Sequence, residues 1–167
     1  MAKPDYSIDD RTLAERSRIE DRALWLYFLF KEMEQEIGIE RAEQIARQAV
    51  WKYGELKDDR VGNPSTPDEF IDMHAKGSNP AVFEKEIPGT EGESTERKFR
   101  MHYCALKTAW EKVGATGEEI DLLCDIAMEG DRARSKGGLD IEVTKRMCDR
   151  IQKPSFCEVV IRKVDDE

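Results

Sequence analysis

The sequence predicts one α+β domain, an N-terminal helical hairpin packed with an antiparallel sheet of three or four strands. Three observations carry this reading. Apolar residues recur at steps of three and four through the first half, then at alternate positions from about residue 95. The element order, helices first, then a strand, two helices and a final strand pair, lacks the regular alternation of a parallel sheet. The length of 167 residues suits a single core, with a helical half over about 8–86 and a strand-helix-helix-hairpin half over about 94–164.

Between Asp10 and Ile37, the residues Ile19, Ala23, Leu26, Phe30, Met33 and Ile37 draw one apolar stripe. Gly38 supplies a residue tolerant of positive φ where that helix stops. A second helix is predicted from about Glu40 to Lys57, with Ala42, Ile45, Ala49, Tyr53 and Leu56 on its inner side, antiparallel to the first. Gly62-Asn63-Pro64-Ser65 breaks the chain. Thr66-Pro67-Asp68-Glu69 then reads as a capping box opening a short helix through Phe70, Ile71 and His74, which Gly77-Ser78-Asn79-Pro80 ends.

Residues 88–94 read as an exposed loop. In the strand predicted from Thr95 to Tyr103, Phe99, Met101 and Tyr103 share one face, and Arg100, His102 and Cys104 point to the other. A helix from about Ala105 to Val113 carries Leu106, Ala109 and Trp110, and Gly114 closes it. Thr116-Gly117-Glu118-Glu119 is a second capping box, opening a helix to about Arg134. Gly137-Gly138 releases the chain into two strands, Leu139 to Met147 and Ser155 to Val164, joined through Lys153-Pro154. The acidic end from Val164 to Glu167 reads as solvated.

A net charge of -9 with scattered Lys and Arg argues against a nucleic-acid partner and favours a small molecule. The longest apolar run, Ala23 to Phe30, is too short to span a bilayer. The basic-then-apolar pattern of a secretory leader is not seen, which predicts a cytoplasmic chain. No glycine-rich phosphate loop supports a nucleotide site. The apolar density of Leu24 to Phe30 exceeds one stripe and points to a second buried face, hence a homodimer.

The candidate chemistry lies in the second half. Cys104, Cys124, Cys148 and Cys157 all fall there, and a reducing cytosol would keep them as thiols. In a strand, His102 and Cys104 would be neighbours, able to share a proton or a metal; incidental burial is the plainer alternative. Cys124, Met128 and Asp131 fall on one helical face, where an aspartate needs a partner unless it lies exposed at the helix end. Cys157 points with Val159 and Ile161 towards apolar neighbours. Cys148 is out of phase with Leu139, Ile141 and Val143 and ranks last. Phe99, Tyr103 and Trp110 either line a cavity or form plain core. A zinc site would have to be assembled from distant segments.

The runs His102-Tyr103-Cys104-Ala105-Leu106-Lys107, Trp110-Glu111-Lys112-Val113-Gly114 and Leu122-Leu123-Cys124-Asp125-Ile126-Ala127, with Asp131 and Phe156-Cys157-Glu158-Val159, resemble the L-2-amino-thiazoline-4-carboxylic acid hydrolase family. The resemblance covers about residues 95–164. It departs at Ala105, where many relatives have Pro. It departs again at the middle cysteine, because Cys124 lies seven residues before Asp131 and Met128 occupies the nearer place. It implies a hydrolase acting on the carbon–nitrogen bonds of a cyclic substrate. The namesake reaction adds water to the amidine-like carbon of a cyclic isothiourea, giving an N-carbamoyl-cysteine.

By position, the resemblance gives Cys104, Asp131 and Cys157 the pocket. Either Cys104 is the nucleophile, deprotonated by His102 with Asp131 on the ring nitrogen, or Cys104, Cys124, Asp131 and Cys157 hold a zinc-type ion. The layout is also similar to ligand-sensing domains of the 4-vinyl-reductase type. Under that resemblance Cys104, Cys124, Cys148 and Cys157 would close a structural zinc site without chemistry.

Overall fold

The computed structural model describes residues 4–61, 64–76, 78–89, 95–134 and 138–164. Helix α1 (Asp10–Ile37) starts where the Asp9 carboxylate accepts the Thr12 N–H at 2.8 Å. It ends at Gly38, whose φ is 80° and whose N–H returns to the Glu34 carbonyl. Ala23 and Phe30 are buried and Leu26 and Met33 half-buried, along the stripe the spacing predicts; only Ile37, beyond the core, is exposed.

Helix α2 (Ile39–Val61) folds back on α1, completing the hairpin. Its inner face differs from the predicted one. Ala42, Ala46 and Gly54 are buried and Val50 half-buried, whereas Ala49, Tyr53 and Leu56 are exposed. Close approach is the reason. A Cβ on Gly54 would meet the Gly130 carbonyl oxygen at 2.5 Å, so α2 presents its small residues to helix α5 (Gly117–Arg132).

Helix α3 (Pro67–Lys76) is capped by Thr66, whose hydroxyl accepts the Glu69 N–H at 3.1 Å. The reciprocal half of the box lands on Ser65, whose N–H donates to the Glu69 carboxylate at 2.8 Å. A 3-10 turn at Pro80–Val82 and a two-residue strand, β1 (Lys85–Glu86), follow; the sequence reading contains neither. Arg16 of α1 fastens this turn, donating to the carbonyls of Val82 and Ala81 at 3.1 and 2.8 Å.

Strand β2 (Glu96–Met101) stops three residues before Cys104, so His102 and Cys104 are not paired along a strand as the sequence suggests. Helix α4 (Ala105–Lys112) then precedes α5, whose Thr116 capping box forms with both halves present. Strand β3 (Leu139–Lys145) ends short of Met147, after a register irregularity between Val143 and Lys145; β4 (Cys157–Lys163) completes the fold. Several predicted features lie outside the described residues: Gly62, Asn63, Gly77, most of the 88–94 loop, Gly137, the acidic end from Asp165 and the side chain of His74.

The four strands form an antiparallel sheet in the order β1-β2-β4-β3. Phe99, Leu139, Ile141, Val159 and Ile161 make its inner face, against Phe70 and Ile71 of α3. The outer face carries ion pairs, among them Arg100–Glu158 at 2.9 Å and Arg162–Glu142 at 2.7 Å. A second core lies among the helices, around Trp110, whose indole N–H donates to the Ala23 carbonyl at 2.9 Å. No helix among the described residues is long and apolar enough to cross a membrane.

Candidate functional site

The four cysteines come from four separate segments of the second half. Cys104 is the N-cap of α4, and its Sγ accepts the Lys107 N–H at 3.5 Å. Cys124 comes from the inner face of α5 and Cys148 from the turn after β3; both belong to the helical core. Cys157 opens β4 opposite Met101 of β2, and its Sγ accepts the Met147 N–H at 3.3 Å. Each of the four is free of disulfide bonds, and all but half-buried Cys104 are buried.

The thiols lie within electrostatic reach of one another, and their surroundings set them apart. Burial pushes Cys104 up to about 11 and Cys157 up to about 12, so both carry their protons at neutral pH. Cys124 moves the other way. A hydrogen bond from Cys148 holds its thiol below the ordinary value against the opposing effect of burial, and the Arg146 guanidinium adds charge and a further hydrogen bond. The same bond, reinforced by burial and by the other thiols, pushes Cys148 up. Cys124 is the one thiol of the four whose surroundings favour its ionised form.

Arg146 is fixed for this task by α5. It donates to the Asp121 carbonyl at 3.0 Å and pairs with the Asp121 carboxylate at 2.9 Å. Asp125, on the next stretch of helix, is gripped by Arg47 at 2.7 Å and Arg132 at 3.0 Å. Sequence reasoning passed over Arg146 and ranked Cys148 last of the four cysteines. The signal was present in the phase of Cys148, whose mismatch with Leu139, Ile141 and Val143 marks the end of the strand.

The remaining predicted site residues lie elsewhere. The His102 ring contacts the Glu86 carboxylate at 2.9 Å and stands 5.6 Å from the Phe156 ring. Asp131 lies two turns along α5 from Cys124, about 10 Å at the helical rise. There its charge favours the protonated form of Lys85, a buried amine that desolvation pushes down to about 8. Phe99 and Trp110 are buried in the two separate cores, and Tyr103 is half-buried under the Arg16 guanidinium, 3.7 Å from its ring centroid.

Four thiolates would suit a zinc-type ion by donor chemistry. Their placement does not. Among the described residues, no three His, Cys, Asp or Glu side chains gather closely enough to hold one metal ion. The set Cys104, Cys124, Asp131 and Cys157 is therefore not assembled around a metal position.

A family model described as L-2-amino-thiazoline-4-carboxylic acid hydrolase matches residues 16–153. The match runs from Arg16 within α1 through the turn beyond Cys148, taking in Cys104, Cys124 and Arg146 and leaving Cys157 outside it. No curated protein and no solved structure matches the chain.

Proposed function

From the premise that this chain belongs to the L-2-amino-thiazoline-4-carboxylic acid hydrolase family, we propose that it opens a small isothiourea- or amidine-like ring by hydrolysis at the thiol cluster. The supporting observation is the setting of Cys124, with Cys148 and Arg146 both stabilising its thiolate.

In this mechanism the Cys124 thiolate adds to the ring carbon that is doubly bonded to nitrogen. The ring bond from that carbon to its other ring heteroatom breaks, and the departing atom takes a proton from a neutral thiol, Cys104 or Cys157. Water then adds to the carbon still attached to Cys124. The carbon–sulfur bond to the enzyme breaks, the product leaves as a urea or amide, and one proton from water restores the donor thiol. The net change is one water added. Cys148 and Arg146 favour the ionised form of the nucleophile, and the surrounding apolar core keeps bulk water from competing for it. Asp131, at the far end of the same helix face, would orient the polar end of a substrate, with the buried Lys85 amine of β1 within reach of its charge.

Purified protein incubated with a panel of cyclic isothioureas and amidines, followed by mass spectrometry for the gain of one water, tests this. Turnover by the wild type that Cys124→Ser abolishes is the expected result. Turnover that survives Cys124→Ser but not Cys104→Ser would transfer the nucleophile to Cys104. An inert wild type across the whole panel would defeat the hydrolytic reading and leave a ligand-binding domain.

A further inference from the structure

Helix α1 carries a second set of apolar residues that the fold leaves uncovered. Trp25, Phe28 and Leu29 are 78%, 55% and 53% exposed, on the side away from Ala23 and Phe30. With Leu24 they line a shallow groove bounded by Asp21 and Glu32. Along the same side, Arg18, Arg22, Trp25, Leu29, Glu32 and Glu36 are all exposed and recur at steps of four and three. At 100° per residue these six fall within a sector of about 80°, the seam of a coiled coil.

The order along this seam is basic, apolar, acidic, so it complements its own reverse. We propose that α1 pairs with α1 of a second copy, antiparallel about a twofold axis near Tyr27. Arg18 then faces Glu36 of the second copy, Arg22 faces Glu32, and Trp25 packs on Leu29. On one flank Phe28 meets its own counterpart and Asp21 meets Gln35, so no like charges are opposed. A parallel pairing would set Arg against Arg and Glu against Glu.

Arg18, Glu32 and Glu36 form no ion pair with the described residues of their own chain, and Arg22 spends one N–H on the exposed Tyr53 hydroxyl at 3.1 Å. Two chains of net charge -9 repel at long range, so an interface needs such neutralising pairs beside its apolar centre. A partner of unrelated sequence would have no reason to mirror the basic-apolar-acidic order. The seam lies on the far side of α1 from the helical core and is independent of the hydrolase assignment.

Sedimentation equilibrium on the full chain tests the pairing. The wild type is expected to dimerise reversibly, and Trp25→Glu to be monomeric with an unchanged circular dichroism spectrum, since Trp25 is a surface residue. Arg18→Glu and Glu36→Arg should each weaken the dimer by about tenfold, because each replaces two attractive pairs with two repulsive ones. The double variant should regain wild-type affinity, and an equimolar mixture of the two single variants should form heterodimers. A wild type that stays monomeric would overturn the proposal, as would a dimer indifferent to Trp25→Glu or a double variant no tighter than the singles.

Discussion

Arg146 touches the Asp121 carbonyl and the Asp121 carboxylate and acts electrostatically on the Cys124 thiol, so one side chain joins the turn after β3 to helix α5 and bears on the candidate nucleophile. Its positive charge favours the ionised form of Cys124. Arg146→Met should therefore raise the pH at which Cys124 ionises, read as an upward shift of the acidic limb of the pH–rate profile for ring opening. An unmoved profile would leave Arg146 a purely structural clamp. At this scale the sequence was only partly legible. Cys104, Cys124, Cys148 and Cys157 stand out as rare residue types in one half of the chain. The place of Cys148 and Arg146 depends on where β3 stops. The phase mismatch of Cys148 marks that end, but the register irregularity between Val143 and Lys145 is a tertiary feature and Arg146 has no such signal.

Local chemistry decides most of the elements. Thr66 and Thr116 cap the helices they were expected to cap, Asp9 caps α1, and Gly38 and Gly114 take φ of 80° and 78° where helices end. The inner face of α2 escaped the reading because periodicity rewards large apolar residues, whereas this helix packs through Ala42, Ala46 and Gly54. The two crossing glycines separate the effects. Gly54→Ala would drive a methyl into the Gly130 carbonyl at 2.5 Å and into the Ala133 Cβ at 2.8 Å. A net loss of about 2 kcal/mol is expected in urea unfolding, despite the better helix propensity of alanine. Gly130→Ala meets the Val50 Cγ1 at 3.4 Å and the Val50 carbonyl oxygen at 3.7 Å and should be close to neutral. Equal losses from both would show that the crossing is not what selects glycine at Gly54.

Across the whole molecule, carboxylates gripped by arginines join α2, α5 and the turn after β3, and Asp125 is the shared node of Arg47, Arg132 and, at 3.8 Å, Arg146. Burial alone would raise the Asp125 carboxyl, but hydrogen bonds from Arg132 and Arg47 outweigh it and hold the group below its ordinary value. A depressed carboxyl stabilises the fold above its unfolded value of about 3.9, and that contribution is lost as pH falls through the folded value. Asp125→Asn should therefore lower the urea midpoint at pH 7 and leave a smaller gap to wild type near pH 3. A gap that is constant with pH would refute the electrostatic origin. The α+β class and the hairpin were legible because both follow from periodicity; the junction between the two cores was not, since its contacts come from segments far apart in the chain. That junction also makes the cysteines reporters of cooperativity. Cys124 and Cys148 are sealed by the helices, while Cys157 is sealed by the strand it begins. Under brief exposure to a thiol-labelling reagent, the order in which they become modified would record whether helices and sheet open together or as separate units.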